Sequence, residues 1–193
     1  MKLSLLKLTT FMEKHSPSSK TGWSWRVPNF IRRIRSPDYK DKAVFGVPLL
    51  LNLQRTGQAL PTCIQASFSY LRKTSLDSVG IFRKSGVRSR IQKLRNLNES
   101  NPYNNTYEDQ QAYDVADMLK QYFRDLPEAL LTNKWSETFI SIFLYIPHMD
   151  RLDALHAAIM LMPDENREVL QSLIAFLQEV CKNADENQMT ATN

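Results

Sequence analysis

With 193 residues, 42% of them hydrophobic and only five glycines, the chain is long enough for one globular, mostly helical domain with a sizeable core, and a second full domain is not expected. Its two cysteines, Cys63 and Cys181, are too few for a disulfide framework or a cysteine-built zinc site and read as small buried apolar side chains in a reducing compartment. The net charge of +5 is uneven: residues 1–44 hold ten Lys or Arg against three acids (+7) and residues 45–193 hold fifteen against seventeen (−2), so the basicity belongs to an amino-terminal arm and nucleic acid is not an expected partner.

Along the chain, the leucines of Met1–Met12 are interrupted by Lys7 and Thr9-Thr10 with no cleavage site after them, which does not read as a signal peptide. No apolar stretch approaches a membrane span, so a soluble intracellular chain is expected, and the sequons at Asn98 and Asn104 read as chance matches. Prolines, serines, Trp23, Trp25 and the run Arg32-Arg33-Ile34-Arg35 give residues 1–44 the look of an extended basic arm. Two readings of it stay open. The aromatic and basic residues could dock on an anionic membrane, each cation contributing about 1 kcal/mol near such a surface, or the aromatics could pack on the domain that follows.

The segment Phe45–Leu53 reads as an extended entry, because Pro48 cannot donate to a central ladder and Asn52 ends the apolar run. Pro61 suits a first helical turn, and Ile64, Phe68 and Leu71 predict a helix to about Thr74. Val87, Ile91 and Leu94 predict the next, to Leu97, and residues 98–109 read as a polar surface loop. Ala112, Val115, Ala116, Leu119, Phe123 and Leu126 form an apolar stripe that Pro127 terminates, with Asp117, Lys120, Gln121 and Arg124 on the opposite side. A densely apolar buried helix is expected from Trp135 to Ile146. Asp150 then caps one with Leu152, Leu155 and Ile159 inward, and Asp164 caps a long one through Val180. Six or seven helices without a convincing strand predict an all-α fold.

Chemistry concentrates in two places. In Gly80-Ile81-Phe82-Arg83-Lys84-Ser85-Gly86, the glycines permit conformations that other residues avoid, and Ile81 and Phe82 can anchor the loop while Arg83 projects. A guanidinium so held stays charged and offers forked donors to phosphate oxygens. In Asp117–Glu128, Lys120 and Arg124 lie four apart on one helical face, with Asp117 one turn before Lys120. Taken alone, each reads equally well as solvated surface charge. His15, His148 and His156 form no metal-ligand spacing, and there is no phosphate-binding glycine loop; no cofactor or metal is expected, and the chain should not hydrolyse GTP unaided.

Together with Leu126-Pro127-Glu128, these two segments resemble the Rho GTPase-activating (RhoGAP) domain. Tyr113–Lys120 and Asp164–Leu170 narrow the likeness to the deleted-in-liver-cancer group. The resemblance covers residues 45–193 and implies an all-α helical bundle, preceded by the arm of residues 1–44, that accelerates GTP hydrolysis by a GTP-bound Rho-family GTPase. It makes Arg83 the arginine finger, with Lys120 and Arg124 holding the finger loop and the GTPase face and Lys84 beside them. Asn187-Gln188-Met189-Thr190-Ala191-Thr192-Asn193 is similar to a family segment that contacts the GTPase, which adds Asn187 and Asn193. Ala129 departs from the family's second proline. The family also continues beyond Asn193 into further helices that complete its core, so the domain is expected to be carboxy-terminally incomplete. The alternative is a GAP-like module that binds a GTPase or a membrane surface without accelerating hydrolysis.

Overall fold

A computed structural model of the chain describes residues 1–15 and 39–192. Among them every regular element is a helix: α1 (Lys2–His15), α2 (Leu49–Thr56), α3 (Thr62–Thr74), α4 (Arg88–Ser100), α5 (Ala112–Arg124), α6 (Thr132–Tyr145), α7 (His148–Leu161), α8 (Asp164–Lys182) and the single turn α9 (Ala184–Asn187). The all-α expectation holds. Trp23, Trp25, Phe30, Ile31 and Ile34, the arm residues on which both the membrane-docking and the packing readings fall, lie outside the described residues, as does Asn193. The chain divides into two compact units, Met1–Pro37 with Leu131–Arg167, and Asp38–Leu130 with Glu168–Asn193.

The larger unit holds the core that carries the arginine loop. Helix α3 turns Ile64, Phe68 and Leu71 inward as its spacing predicts, and α5 contributes Val115, Ala116, Met118, Leu119 and Tyr122. Phe68 meets Phe176 of α8 edge-on at 5.0 Å, and Tyr122 meets Phe45 at 6.1 Å, geometries that suit the ring quadrupoles. The entry is stapled by Glu99 of α4, whose carboxylate accepts the backbone N–H groups of Ala43, Val44 and Phe45.

Two expectations for this unit are corrected. Residues from Leu49 onward are not extended but form α2. Pro48, read as a strand breaker, stands at the helix's N-cap with φ −59°, where its missing N–H costs nothing. Asn52 does not end the apolar run: it is buried inside the helix, and its Nδ2 donates to the carbonyls of Gln58 and Ala59. Residues 98–109 are also not simply a surface loop. Helix α4 runs on to Ser100, and Asn98 donates to Tyr107 Oη at 2.8 Å, Asn104 donates to Asn98 Oδ1, and Tyr107 donates to the Cys63 carbonyl at 2.9 Å. Polar residues here fill the interior because they satisfy one another. Both sequon asparagines are thereby buried.

In the smaller unit, residues expected in the extended arm form α1, which packs on α6 and α7 and buries Leu8 and Met12. Lys7 breaks the leucine run without breaking the helix, since lysine is a good helix former. Helix α6 buries Trp135, Thr138 and Ile142 but exposes Ile140, Phe143 and Leu144, so the expectation of a fully buried helix fails on one face. In α7 the inward face is Ala154, Ala157 and Ala158, with Leu155 and Ile159 only partly covered and Leu152 exposed. The N-cap is Pro147, and Asp150 sits in the first turn, where a carboxylate still complements the positive helix end.

Candidate functional site around Arg83

The loop between α3 and α4 is built on a left-handed backbone. Gly80 has φ 73°, and Phe82 has φ 66°, a conformation that costs a bulky residue about 1 kcal/mol or more and persists only where surroundings enforce it. Ile81 is buried, and the Phe82 ring stands edge-on to Phe176 at 5.7 Å. The N–H groups of Arg83 and Lys84 both donate to the Gly80 carbonyl at 2.9 and 2.8 Å, making one tight turn. Between the buried Ile81, the half-buried Phe82 and this turn, Arg83 is left exposed, and its guanidinium makes no hydrogen bond or ion pair among the described residues.

Gly86 serves the loop by its size rather than by its φ, which is not positive. A Cβ there would lie 2.8 Å from Asp114 Cα and 2.9 Å from Asp114 N, so only a hydrogen lets the loop lie against the first turn of α5. That approach delivers two carboxylates. Asp117 Oδ2 accepts the Gly86 N–H and Asp114 Oδ1 the Val87 N–H, both at 2.7 Å, and Asp114 also takes Arg90 Nε. The buried Asp114 thus satisfies an amide at the start of α4 that no local side chain caps.

Lys120 follows Asp117 by one turn, pairs with its Oδ1 at 2.5 Å, and donates to the Phe82 carbonyl at 2.8 Å. Arg124, one further turn along the same face, is exposed, and its side chain is unpaired among the described residues. Lys84 is also exposed, with its aliphatic stem over Gly80. Arg83, Lys84, Lys120 and Arg124 therefore stand on the loop or on the helix behind it.

Asn187 is corrected. It has no exposed surface: Nδ2 donates to the carbonyls of Leu76 at 2.6 Å and Val180 at 2.7 Å, Oδ1 accepts the Met189 N–H, and its own carbonyl accepts the Gly80 N–H at 2.7 Å. A side chain so enclosed cannot touch a partner directly. It ties the arginine loop to α8 and to the segment Met189–Thr192. Alongside runs a groove of about 860 Å³ lined by Phe82, Arg83, Ile174, Leu177, Met189 and Thr192, apolar along α8 and cationic at Arg83.

Sequence reasoning missed Asp114 and the loop-facing half of Asp117. The available signal was two carboxylates three apart, one in the first turn of α5 and one a turn before Lys120, but nothing local shows that a glycine 28 residues upstream of Asp114 lies against them. Cys63 is no nucleophile, since burial pushes its thiol up to about 12. No cluster of His, Cys, Asp and Glu suited to a metal ion occurs among the described residues.

An all-helical domain that holds one arginine on a doubly anchored loop, backed by a lysine and an arginine on the next helix, has the features of a GTPase-activating domain. The RhoGAP domain model matches residues 61–193, and the chain belongs to the RhoGAP family. It is 64% identical over 192 residues to Rho GTPase-activating protein 7 of Mus musculus and 61% identical over 192 residues to StAR-related lipid transfer protein 13 of the same organism, covering 100% of this chain in each case. These are relatives of the deleted-in-liver-cancer group, in agreement with the sequence reading. The chain spans only 18% and 17% of their lengths. Among solved structures, human Rho GTPase activating protein 15 superposes with a TM-score of 0.70 at 27% identity, over 78% of this chain and 72% of that one.

Proposed function

We propose that the chain is a GTPase-activating domain for Rho-family GTPases and that Arg83 is the group it supplies. The GTPase brings the nucleotide, its magnesium and the attacking water. This chain brings a fixed cation that neutralises charge spreading over the γ-phosphoryl oxygens as the bond to the leaving phosphate breaks. The observation that carries the reading is the contrast between Arg83's backbone and its side chain. The backbone is held at Gly80, Phe82 and Gly86 by α9, Lys120 and Asp117, while the guanidinium has no partner among the described residues.

Prepositioning matters because an arginine that had to find its place during the reaction would spend binding energy on ordering. Lys120 is consumed in holding the loop. Arg124, one turn further along α5, remains available to a carboxylate or phosphate on the partner's face. The experiment is single-turnover hydrolysis by a GTP-loaded Rho protein with the parent chain, Arg83→Ala and Arg83→Lys. The expected loss for Arg83→Ala is about 10³-fold or more, equivalent to about 4 kcal/mol of barrier, with binding retained. Binding without acceleration by the parent would make the chain an interaction module, and full activity of Arg83→Ala would remove the finger assignment.

A further inference from the structure

We infer that Asp117 is a positioning residue for the arginine loop, acting through Lys120 and the Gly86 amide to hold both shoulders of Arg83; this rests on the proposed role of Arg83. The four groups form a closed ring of contacts. Phe82 O accepts Lys120 Nζ at 2.8 Å, Lys120 Nζ pairs with Asp117 Oδ1 at 2.5 Å, and Asp117 Oδ2 accepts the Gly86 N–H at 2.7 Å. The backbone of residues 83–85 closes the ring. One carboxylate therefore governs both ends of the three-residue span that carries the guanidinium.

The ring matters because the loop is not at rest in isolation. Phe82 at φ 66° occupies a sparsely populated region and relaxes unless its ring and carbonyl are both held. Its ring is held by Phe176. Among the described residues its carbonyl is held only by the ammonium of a flexible four-carbon stem, and a lysine is a point charge that goes where its counter-charge is. Asp117 is that counter-charge. Its side chain is 13% exposed and that of Lys120 28%, so the pair is shielded from solvent more than an ordinary surface pair and is correspondingly less weakened by screening. Without the carboxylate, Lys120 loses its fixed direction, the Gly86 N–H loses its acceptor, and Arg83 is free to shift. Misplacement of a catalytic group by about 1 Å costs on the order of 10²-fold in rate.

The test uses the whole chain and a GTP-loaded Rho protein, reading the saturating hydrolysis rate and the half-saturating concentration separately for the parent, Asp117→Ala, Asp117→Asn and Arg83→Ala. Asp117→Ala is expected to lower the saturating rate about 10- to 100-fold and to leave the half-saturating concentration within about threefold. Asp117→Asn keeps one acceptor for the Gly86 amide but offers Lys120 no charge, and should recover at least about threefold of that loss. A parent-like rate for Asp117→Ala while Arg83→Ala is inactive overturns the inference and leaves the finger standing. A lower rate together with a half-saturating concentration raised well beyond threefold and a lowered melting temperature, or an Asn variant no better than Ala, also overturns it by showing a merely structural residue. If Asp117→Ala does not fold, Asp117→Asn decides alone: a reduced rate at unchanged half-saturation supports the role, and a parent rate rejects it. A fully active Arg83→Ala removes both readings together.

Discussion

A methyl group added at Gly86 would arrive 2.5 Å from Asp114 Oδ1, 2.8 Å from Asp114 Cα and 2.9 Å from its backbone nitrogen. Two of those three atoms are main chain in the first turn of α5, so no side-chain rotation relieves the clash. Either the loop or the helix must back away by several tenths of an ångström. That movement stretches the two 2.7 Å bonds from the Gly86 and Val87 amides to Asp117 and Asp114. Overpacking costs about 1–3 kcal/mol, and a weakened charge-assisted hydrogen bond costs up to about 1.5–3 kcal/mol. A total near 3 kcal/mol is therefore expected for Gly86→Ala, and at roughly 2–4 °C per kcal/mol for a chain of this size the melting temperature falls by about 6–12 °C. Gly57→Ala is the control. Its Cβ meets nothing within 4 Å, and only its φ of 76° resists substitution, a penalty of about 1 kcal/mol. Thermal unfolding followed by far-ultraviolet circular dichroism compares the two. A Gly86→Ala protein melting within about 2 °C of the parent, or no lower than Gly57→Ala, would refute the close approach of the loop to α5.

Asn187→Asp replaces two donors aimed at the Leu76 and Val180 carbonyls with an acceptor-only carboxylate, and should destabilise by about 3 kcal/mol or more; an unchanged urea midpoint would contradict the staple. Cys63 and Cys181 should separate in alkylation kinetics, because the first is buried with its thiol pushed up to about 12 and the second is partly exposed beside the groove. Mass spectrometry of the native protein at pH 8 should find Cys181 modified first, and equal labelling would argue against the packing of α3. The same shift makes a pH prediction. With a reference value of 9.0 in the unfolded chain and about 12 when folded, the stability linked to a neutral Cys63 is complete below pH 9 and drains away as pH rises towards 12. The loss at pH 10 is about 1.4 kcal/mol. Urea midpoints between pH 8 and pH 10 should fall more steeply for the parent than for Cys63→Ala, and parallel slopes would count against the shift.

What could be read locally was read correctly where one helix face met one core. The stripe of α5 and the Ile64, Phe68, Leu71 face of α3 follow from the helical period alone, and the mixture of Arg83, Lys120, Arg124 and Leu126-Pro127-Glu128 was enough to reach the family. The misreadings share a cause. Proline and asparagine break an isolated strand, whereas here Pro48 opens α2 and Asn52 hydrogen-bonds to the turn that follows it. An apolar side chain predicts burial for Leu152 and Leu144, yet alanines take the inner face of α7, and α6 leaves part of its surface uncovered.

The chain's residue order by itself determined that the fold is helical, where most helices start and stop, and which arginine stands between two apolar anchors and a glycine. Those properties depend on neighbours within a turn or two, over which backbone geometry and hydrophobic period act directly. Only the tertiary structure decided that Asp114 and Asp117 meet a loop 28 and 31 residues before them, that Lys120 faces inward to Phe82 while Arg124 stays free among the described residues, and that Asn187 is a buried tie rather than a surface contact. A carboxylate or an amide has the same local preferences whether it faces water or another segment's backbone, so its role is assigned when the core brings that segment within 3 Å of it.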